Sequence, residues 1–270
     1  MFIHIIINPI FMESRFTKKL LAVPIIALLC YTQPLQAQTT SSKDSLSQEG
    51  RNIVKWNFGA LLTKTYSFEY EHAISGKTSL ALDFRVMPKS SIPFKNQIDN
   101  AVDDAQTKQT INNFKTSNFA ITPEVKFYLG QGVFRGFYLA PFVMYAKYSG
   151  EGPFEYDIPQ LKTSEILNFK GNINTFNGGL MVGAQWKLTK VLYFDWWIAG
   201  PSYGFSKGSL ISERPFNPIE ETVVRQQLAN FVSDLPLIKA TSTVTANSAT
   251  IDIKGPWAGV RGGLSLGCRF

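Results

Sequence analysis

The side chains able to do chemistry recur at every second position. Glu69 and Glu71, Asp83 and Arg85, and Glu124 and Lys126 are each two residues apart, and Lys55, Lys187, Asp195, Arg261 and Arg269 sit in stretches with the same alternation. A spacing of two puts side chains on one face of an extended chain. These groups, six positive and five negative, therefore belong to one polar face. Carboxylates gathered in this way, such as Glu69, Glu71 and Asp83, have the chemistry of a general acid and base. The near balance of charge points elsewhere. In a narrow interior each ion must find a partner, because an unpaired one is very costly. The set reads as a salt-bridged structural network rather than a reaction centre or a conduction path.

Other chemistries lack their residues. A hydrolase triad needs a histidine beside a serine, held by a carboxylate or amide. Of the two histidines, His4 falls in an amino-terminal leader, and the alternation turns His72 to the apolar face. There is no histidine cluster or cysteine pair for a metal, and Asp99, Asp103 and Asp104 are too sparse for a calcium loop. No glycine-rich phosphate loop joins a strand to a helix. No catalytic residue, metal site or cofactor is expected. The charge of +7 comes without a basic stripe interleaved with aromatics, so no nucleic-acid partner is expected; it suits anionic lipopolysaccharide.

Strands must position these groups. Residues 257–270, WAGVRGGLSLGCRF, place Ala258, Val260, Leu264, Leu266, Cys268 and Phe270 on one side and Arg261, Ser265 and Arg269 on the other. An apolar-out, polar-in strand that closes a chain on an aromatic residue is the pattern of a transmembrane β-barrel. Leu264, Leu266 and Phe270 form the kind of insertion signal that barrel-assembly machinery takes in its clients. Seven further stretches alternate likewise, near 53–61, 65–73, 78–86, 118–129, 136–148, 172–188 and 191–205. Pro123 removes one ladder donor and predicts a bulge or bend. Short turns follow the second, fourth and sixth stretches. Long insertions, 87–117, 150–171 and 206–255, follow the third, fifth and seventh. This sorting predicts an all-β, eight-stranded antiparallel transmembrane β-barrel with long outer loops, short periplasmic turns and both termini in the periplasm.

Two insertions carry helical spacing: Ile98, Val102 and Ala105 in the first, and Val224, Leu228, Phe231 and Val232 in a run opened by Pro218 and ended near Pro236. Inward Gly179, Gly183, Gly263 and Gly267 leave some space inside. Ahead of the barrel, residues 1–37 read as a cleaved signal region, with a basic stretch at 12–19, an apolar run at 20–31 and a small residue at Ala37. That run is shorter than the roughly 20 residues a spanning helix needs. Met12 is the expected true start. Removal of 1–37 leaves a charge of +5 and Cys268 as the remaining cysteine. Residues 38–51 are a polar periplasmic lead-in, and 52–270 the barrel.

The segments NIVKWNFGALL, YSFEYEHAI, FAITPEVKFYLG, RGFYLAPFV, DWWIAGPSYG and KGPWAGVRGGLSLGCRF, in this order and spacing, resemble a family of Bacteroidetes outer-membrane barrels catalogued as a domain of unknown function. The resemblance implies an eight-stranded outer-membrane barrel and brings neither an agreed activity nor site residues. The expected protein is an exported, multi-pass outer-membrane barrel with a structural or surface-interaction role and no enzymatic activity. Its outer loops would meet a surface partner, and its flanks outer-membrane lipids and lipopolysaccharide. The alternatives are a small pore or transporter, with residues 224–232 as plug or lid, and a lipid-modifying enzyme.

Overall fold

The computed structural model describes residues 50–93, 112–159, 163–233 and 239–270. The expected signal region, nearly all of the lead-in, the helical spacing around Val102 and the stop at Pro236 lie outside the described residues.

Among the described residues nine antiparallel strands form one sheet: β1 (Asn52–Asn57), β2 (Tyr66–Ala73), β3 (Thr78–Ser91), β4 (Lys115–Tyr128), β5 (Gly136–Ile158), β6 (Thr163–Lys187), β7 (Leu192–Glu213), β8 (Lys239–Thr245) and β9 (Ser248–Arg269). Each strand pairs with its neighbour in sequence as far as β7, which pairs with β9. Pairing of β1 with β9 closes a ring of eight. The seam is held at its base by reciprocal backbone hydrogen bonds between Asn52 and Phe270, at 3.0 and 2.9 Å. The strand order and the short turns match the alternation in the sequence.

The polarity of the ring is inverted relative to a water-soluble fold. Glu69, Glu71, Asp83, Arg85, Glu124 and Lys126 on β2, β3 and β4 point inward and are buried, whereas Phe68, Phe84, Phe119 and Phe127 on the same strands point outward and are exposed. Alternation alone produces this, because the pleat sends successive side chains to opposite faces.

The first strand is shorter than its alternation suggests. After Asn57 the chain leaves the sheet as a 3-10 turn, Phe58–Thr63. The Asn57 side chain accepts a hydrogen bond from the Ala60 amide at 3.1 Å, and Lys64 ends the turn in the left-handed region at φ 57°. A capping asparagine followed by FGALL satisfies the amides locally, and this outcompetes a further ladder. Pro123 produces no bulge. It sits opposite Leu82 in unbroken register, and the shifts fall instead at Met87/Ser90, Val182/Gly183 and Trp197/Gly200.

Much of the second and third long insertions is also strand. β5 and β6 run for 23 and 25 residues and pair continuously to the Ile158–Thr163 tip, and β7 and β9 for 22 each. The expected loop at 150–171 and the two flanks of the one at 206–255 are therefore ladders that rise beyond the ring. Their polar outer faces weaken the alternation signal, although the inner face stays apolar. On that inner face Tyr156, Ile158, Leu167, Phe169 and Ile251 form a second core with α1 (Pro218–Ser233), whose Val224 and Leu228 are buried. Pro218 begins the helix where a missing amide is harmless. Asn217 accepts from the Ile219 and Glu220 amides while the Glu220 carboxylate accepts from the Asn217 amide, closing a capping box. β8 pairs with the upper edge of β9, which β1 is too short to reach.

The inward glycines leave no room. A Cβ at Gly183 would lie 2.3 Å from the Tyr138 ring, and one at Gly263 would lie 2.3 Å from the Asn57 amide. Tyr138 is held by a 2.8 Å hydrogen bond to Asp195 and cannot swing clear. Gly183→Ala should therefore destabilise the fold by about 1–3 kcal/mol, the range for overpacking. Gly178→Ala, where nothing lies within 4 Å, should change nothing. Thermal unfolding followed by circular dichroism checks the pair, and equal melting temperatures would contradict the packed interior.

Candidate functional site

The polar face of the ring gathers its charges in two linked clusters. In the first, the Lys55 ammonium on β1 meets Glu69 at 2.9 Å and Asp195 at 2.5 Å, and also bonds Glu71. The Lys126 ammonium on β4 meets Glu69 at 2.6 Å, Asp195 at 3.3 Å, Glu124 at 3.4 Å and Glu71 at 3.5 Å. Tyr128 donates to Glu71 at 2.6 Å and Tyr138 to Asp195 at 2.8 Å. Ser79 bonds Glu71, and Gln185 accepts from Lys55 at 3.1 Å. In the second cluster, Arg261 on β9 reaches Glu124 at 3.0 Å and Asp83 at 3.3 Å. Its guanidinium lies 4.6 Å from the centre of the Phe142 ring and 4.9 Å from that of Trp197.

Register explains the layout. Lys55 lies opposite Glu69, and Glu69 opposite Asp83. Two carboxylates facing each other across a strand pair repel. Lys55 and Lys126 relieve that repulsion at Glu69, and Arg261 relieves it at Asp83.

The remaining expected members lie apart from these clusters. Arg85 donates to the Asn118 side chain at 3.2 Å nearer the extended end. Arg269, near the short-turn end, donates to Tyr193 at 2.8 Å and to the Gly50 carbonyl at 3.0 Å. Lys187 is half-buried at the end of β6 opposite Tyr193 and is not part of the buried set; it sits too close to the mouth for the interior to enclose it. Without it, the buried ions among the described residues are Lys55, Arg85, Lys126, Arg261 and Arg269 against Glu69, Glu71, Asp83, Glu124 and Asp195. Cations and carboxylates are equal in number.

Uncharged side chains complete the filling, and Phe134 is the least expected of them. It sits in the turn after β4 with φ 64° and is fully buried. Its ring packs edge-on to Tyr128 and Tyr193, both at 6.3 Å, and lies 5.0 Å from the Arg269 guanidinium. The turn GQGVFRG thus folds a phenylalanine back into the ring and closes that end. A bulky residue in the left-handed region is uncommon, and nothing in the local sequence signals it. Toward the other end, Tyr148 packs on Trp257 at 5.2 Å.

The arrangement holds charge rather than moving it. Among the described residues Glu69, Glu71 and Asp195 could surround a cation, their oxygens lying within 4.8 Å of one another. Lys55 already hydrogen-bonds all three, so an ammonium occupies the position an ion would take. His72 points to the outer face, where Nδ1 lies 2.7 Å from the Asn52 side chain, and none of its contacts is with the clusters. Leu264, Leu266 and Phe270 all face outward at the closing seam.

Residues 26–207 match the family described as a protein of unknown function, DUF3575. The chain belongs to that family. The DUF3575 match takes in β1 to β6 and the ring-forming part of β7, and ends before α1, β8 and β9. It therefore includes every buried carboxylate of the clusters, while Arg261, the partner of two of them, lies beyond it. No curated protein and no solved structure matches the chain.

Because Arg261 bridges Asp83 and Glu124, Arg261→Met should cost about 3–5 kcal/mol, the range for stranding buried charge. Adding Asp83→Asn and Glu124→Gln should restore much of the loss. Denaturant unfolding of the three proteins checks this. An Arg261→Met protein as stable as the parent would mean that the pairing does not carry stability.

Proposed function

We propose that this chain is an integral outer-membrane protein, an eight-stranded transmembrane β-barrel with a structural or surface-interaction role, and that it is not an enzyme. One observation carries the reading: the ring buries balanced charge inside and turns large apolar side chains outward all the way round. A soluble sheet has no reason to surround itself with Trp56, Phe68, Phe84, Phe119, Phe137 and Trp196, since exposed apolar patches of that extent mark an interaction with lipid or protein. Outward apolar positions on β5 run from Phe137 to Tyr145, within the 9–11 residues that a tilted strand needs to cross a bilayer. Among the described residues no helix is long and apolar enough to cross a membrane, so a crossing by these residues would be made by the strands.

In this reading the short turns, the termini and Phe134 face the periplasm, residues 1–37 are an export signal, and Leu264, Leu266 and Phe270 engage the assembly machinery. The β5–β6 and β7–β9 extensions with α1 and β8 stand outside the cell. A packed unit with its own core, Tyr156 to Ile251, is a firmer surface for a partner than a set of loose loops. The filled interior argues against conduction. Eight strands enclose just enough space for side chains, and Tyr138, Phe142, Met181 and Trp197 take up the space between the ion pairs. The α1 stripe packs on strand extensions rather than on the ring interior, which disfavours a plug that moves.

The full chain refolded in detergent should run at different mobilities before and after heating on a gel, enter lipid vesicles, and pass no steady current in a planar bilayer. Stable current steps that scale with salt would replace the sealed barrel with a pore. Failure to enter vesicles would remove the membrane assignment itself.

A further inference from the structure

The outer face carries a basic row that neither the interior network nor the fold uses. Lys147 on β5 lies opposite Asn174 on β6, Asn174 opposite Lys207 on β7, Lys207 opposite Lys254 on β9, and Lys254 opposite Lys239 on β8. All five are exposed. With strands about 4.8 Å apart, the row extends for roughly 19 Å. Lys207–Lys254 and Lys254–Lys239 are like charges placed directly across strands, a destabilising arrangement unless an anion sits between them. Among the described residues none of the four lysines has a carboxylate partner. Higher up the same face the charges are matched: Lys89 bonds Glu151, which holds that carboxyl below its usual range, and Lys170 lies 3.8 Å from Glu213. Along the row itself no such matching carboxylate stands beside the lysines among the described residues.

The position of the row is informative. Two residues down β5, β6 and β7 lies an aromatic row, Tyr145, Phe176 and Phe205, again in direct register. Phe176 and Phe205 pack at 5.9 Å, and Tyr145 turns its hydroxyl up to donate to Asn174 at 2.9 Å. Aromatic rings with their polar ends turned upward mark the level where hydrocarbon gives way to headgroups. The lysines stand about 7 Å above it, two residues of strand rise. Directly above them the sheet hollows into an open trough of about 840 Å³, lined by Lys170, Lys207, Asn172, Asn174, Ser209 and Asp252 among others.

We infer that Lys147, Lys207, Lys254 and Lys239, with Asn174, bind the phosphates of an outer-leaflet glycolipid. Its acyl chains would lie along the Phe176–Phe205 face, and its sugars in the trough. This rests on the membrane reading above. Lysine ammoniums along one edge complement several phosphate charges, and the trough offers amide and hydroxyl groups to a sugar. An anionic protein would meet the same lysines only through the headgroup layer, so the depth of the row favours the lipid.

The test uses the full chain refolded in detergent, with diphosphoryl lipid A, its dephosphorylated form and inorganic phosphate as probes, and native mass spectrometry as the readout. Lys147→Gln/Lys207→Gln/Lys254→Gln should weaken diphosphoryl lipid A binding about 100-fold, roughly fivefold per lysine. Lys77→Gln/Lys190→Gln, at the opposite end, should leave it unchanged. The dephosphorylated lipid should bind the parent about as weakly as diphosphoryl lipid A binds the triple variant. Heat-dependent gel mobility verifies folding, and if the triple variant does not fold, Lys207→Gln alone carries the test with a roughly fivefold loss. Unchanged affinity in a folded variant, or equal binding of both lipid forms, would overturn the site while leaving the barrel standing. Displacement of the lipid by low millimolar inorganic phosphate would overturn the lipid as its occupant. A parent chain that does not enter vesicles would fail earlier, at the membrane reading itself.

Discussion

The structure depends on two lysine ammoniums enclosed by three carboxylates. Lys55 and Lys126 sit among Glu69, Glu71 and Asp195 with almost no exposure, and from them hydrogen bonds and ion pairs reach every strand of the ring. β3 contributes Ser79 and Asp83, β5 Tyr138, β6 Gln185 and β9 Arg261. Charges removed from water lose several kcal/mol of hydration each, and only close, well-bonded partners offset that. The network is therefore intolerant of partial formation. It also fixes register, since a slip of one residue would turn every charge of a strand to the outer face.

Both ends of the ring are finished by aromatic and guanidinium groups. At the short-turn end Phe134 folds inward between Tyr128 and Tyr193, with Arg269 stacked on it. Toward the other end Tyr148 and Trp257 pair, and above them the sheet continues as a half-ring with a separate apolar core. The inner face thus passes from polar to apolar along single strands. β9 has Arg261 and Ser265 within the ring and Ala249 and Ile251 in the extension, all on the same side. The proposed surface role rests on this filled ring and on the packed unit raised above it.

The outer surface is graded as sharply as the inner one. Register carries an aromatic row across β5, β6 and β7 and sets a basic row directly above it, continued on β9 and β8. On separate strands these residues are unremarkable surface positions. Hydrogen-bonded pairing turns them into bands, and a band is what a layered solvent can recognise.

Much of this was legible from alternation. The eight ring strands, the inward set from Lys55 to Arg269, the short turns and the α1 stripe follow from periods of two and of about 3.6, which are local properties of the chain. Other features were not local. The 3-10 turn after Asn57 required knowing that a capping side chain outcompetes a ladder. The strand character of 150–171 and 206–213 was masked because the faces change composition above the ring, and only pairing with a neighbour reveals it. Lys187 obeys the alternation yet lies at the rim, because parity gives a side but not a depth. Phe134 inside the ring, the glycines filled by Tyr138 and Asn57, the pairing of Arg261 with Asp83 and Glu124, and the lysine row all join residues far apart in the chain. The sequence by itself determined which side chains face inward and that their charges come close to balancing, because the pleat imposes that on each strand alone. Which charge meets which, what fills the space between them and which lysines stand together were decided by closure of the ring, because register and depth exist only between strands.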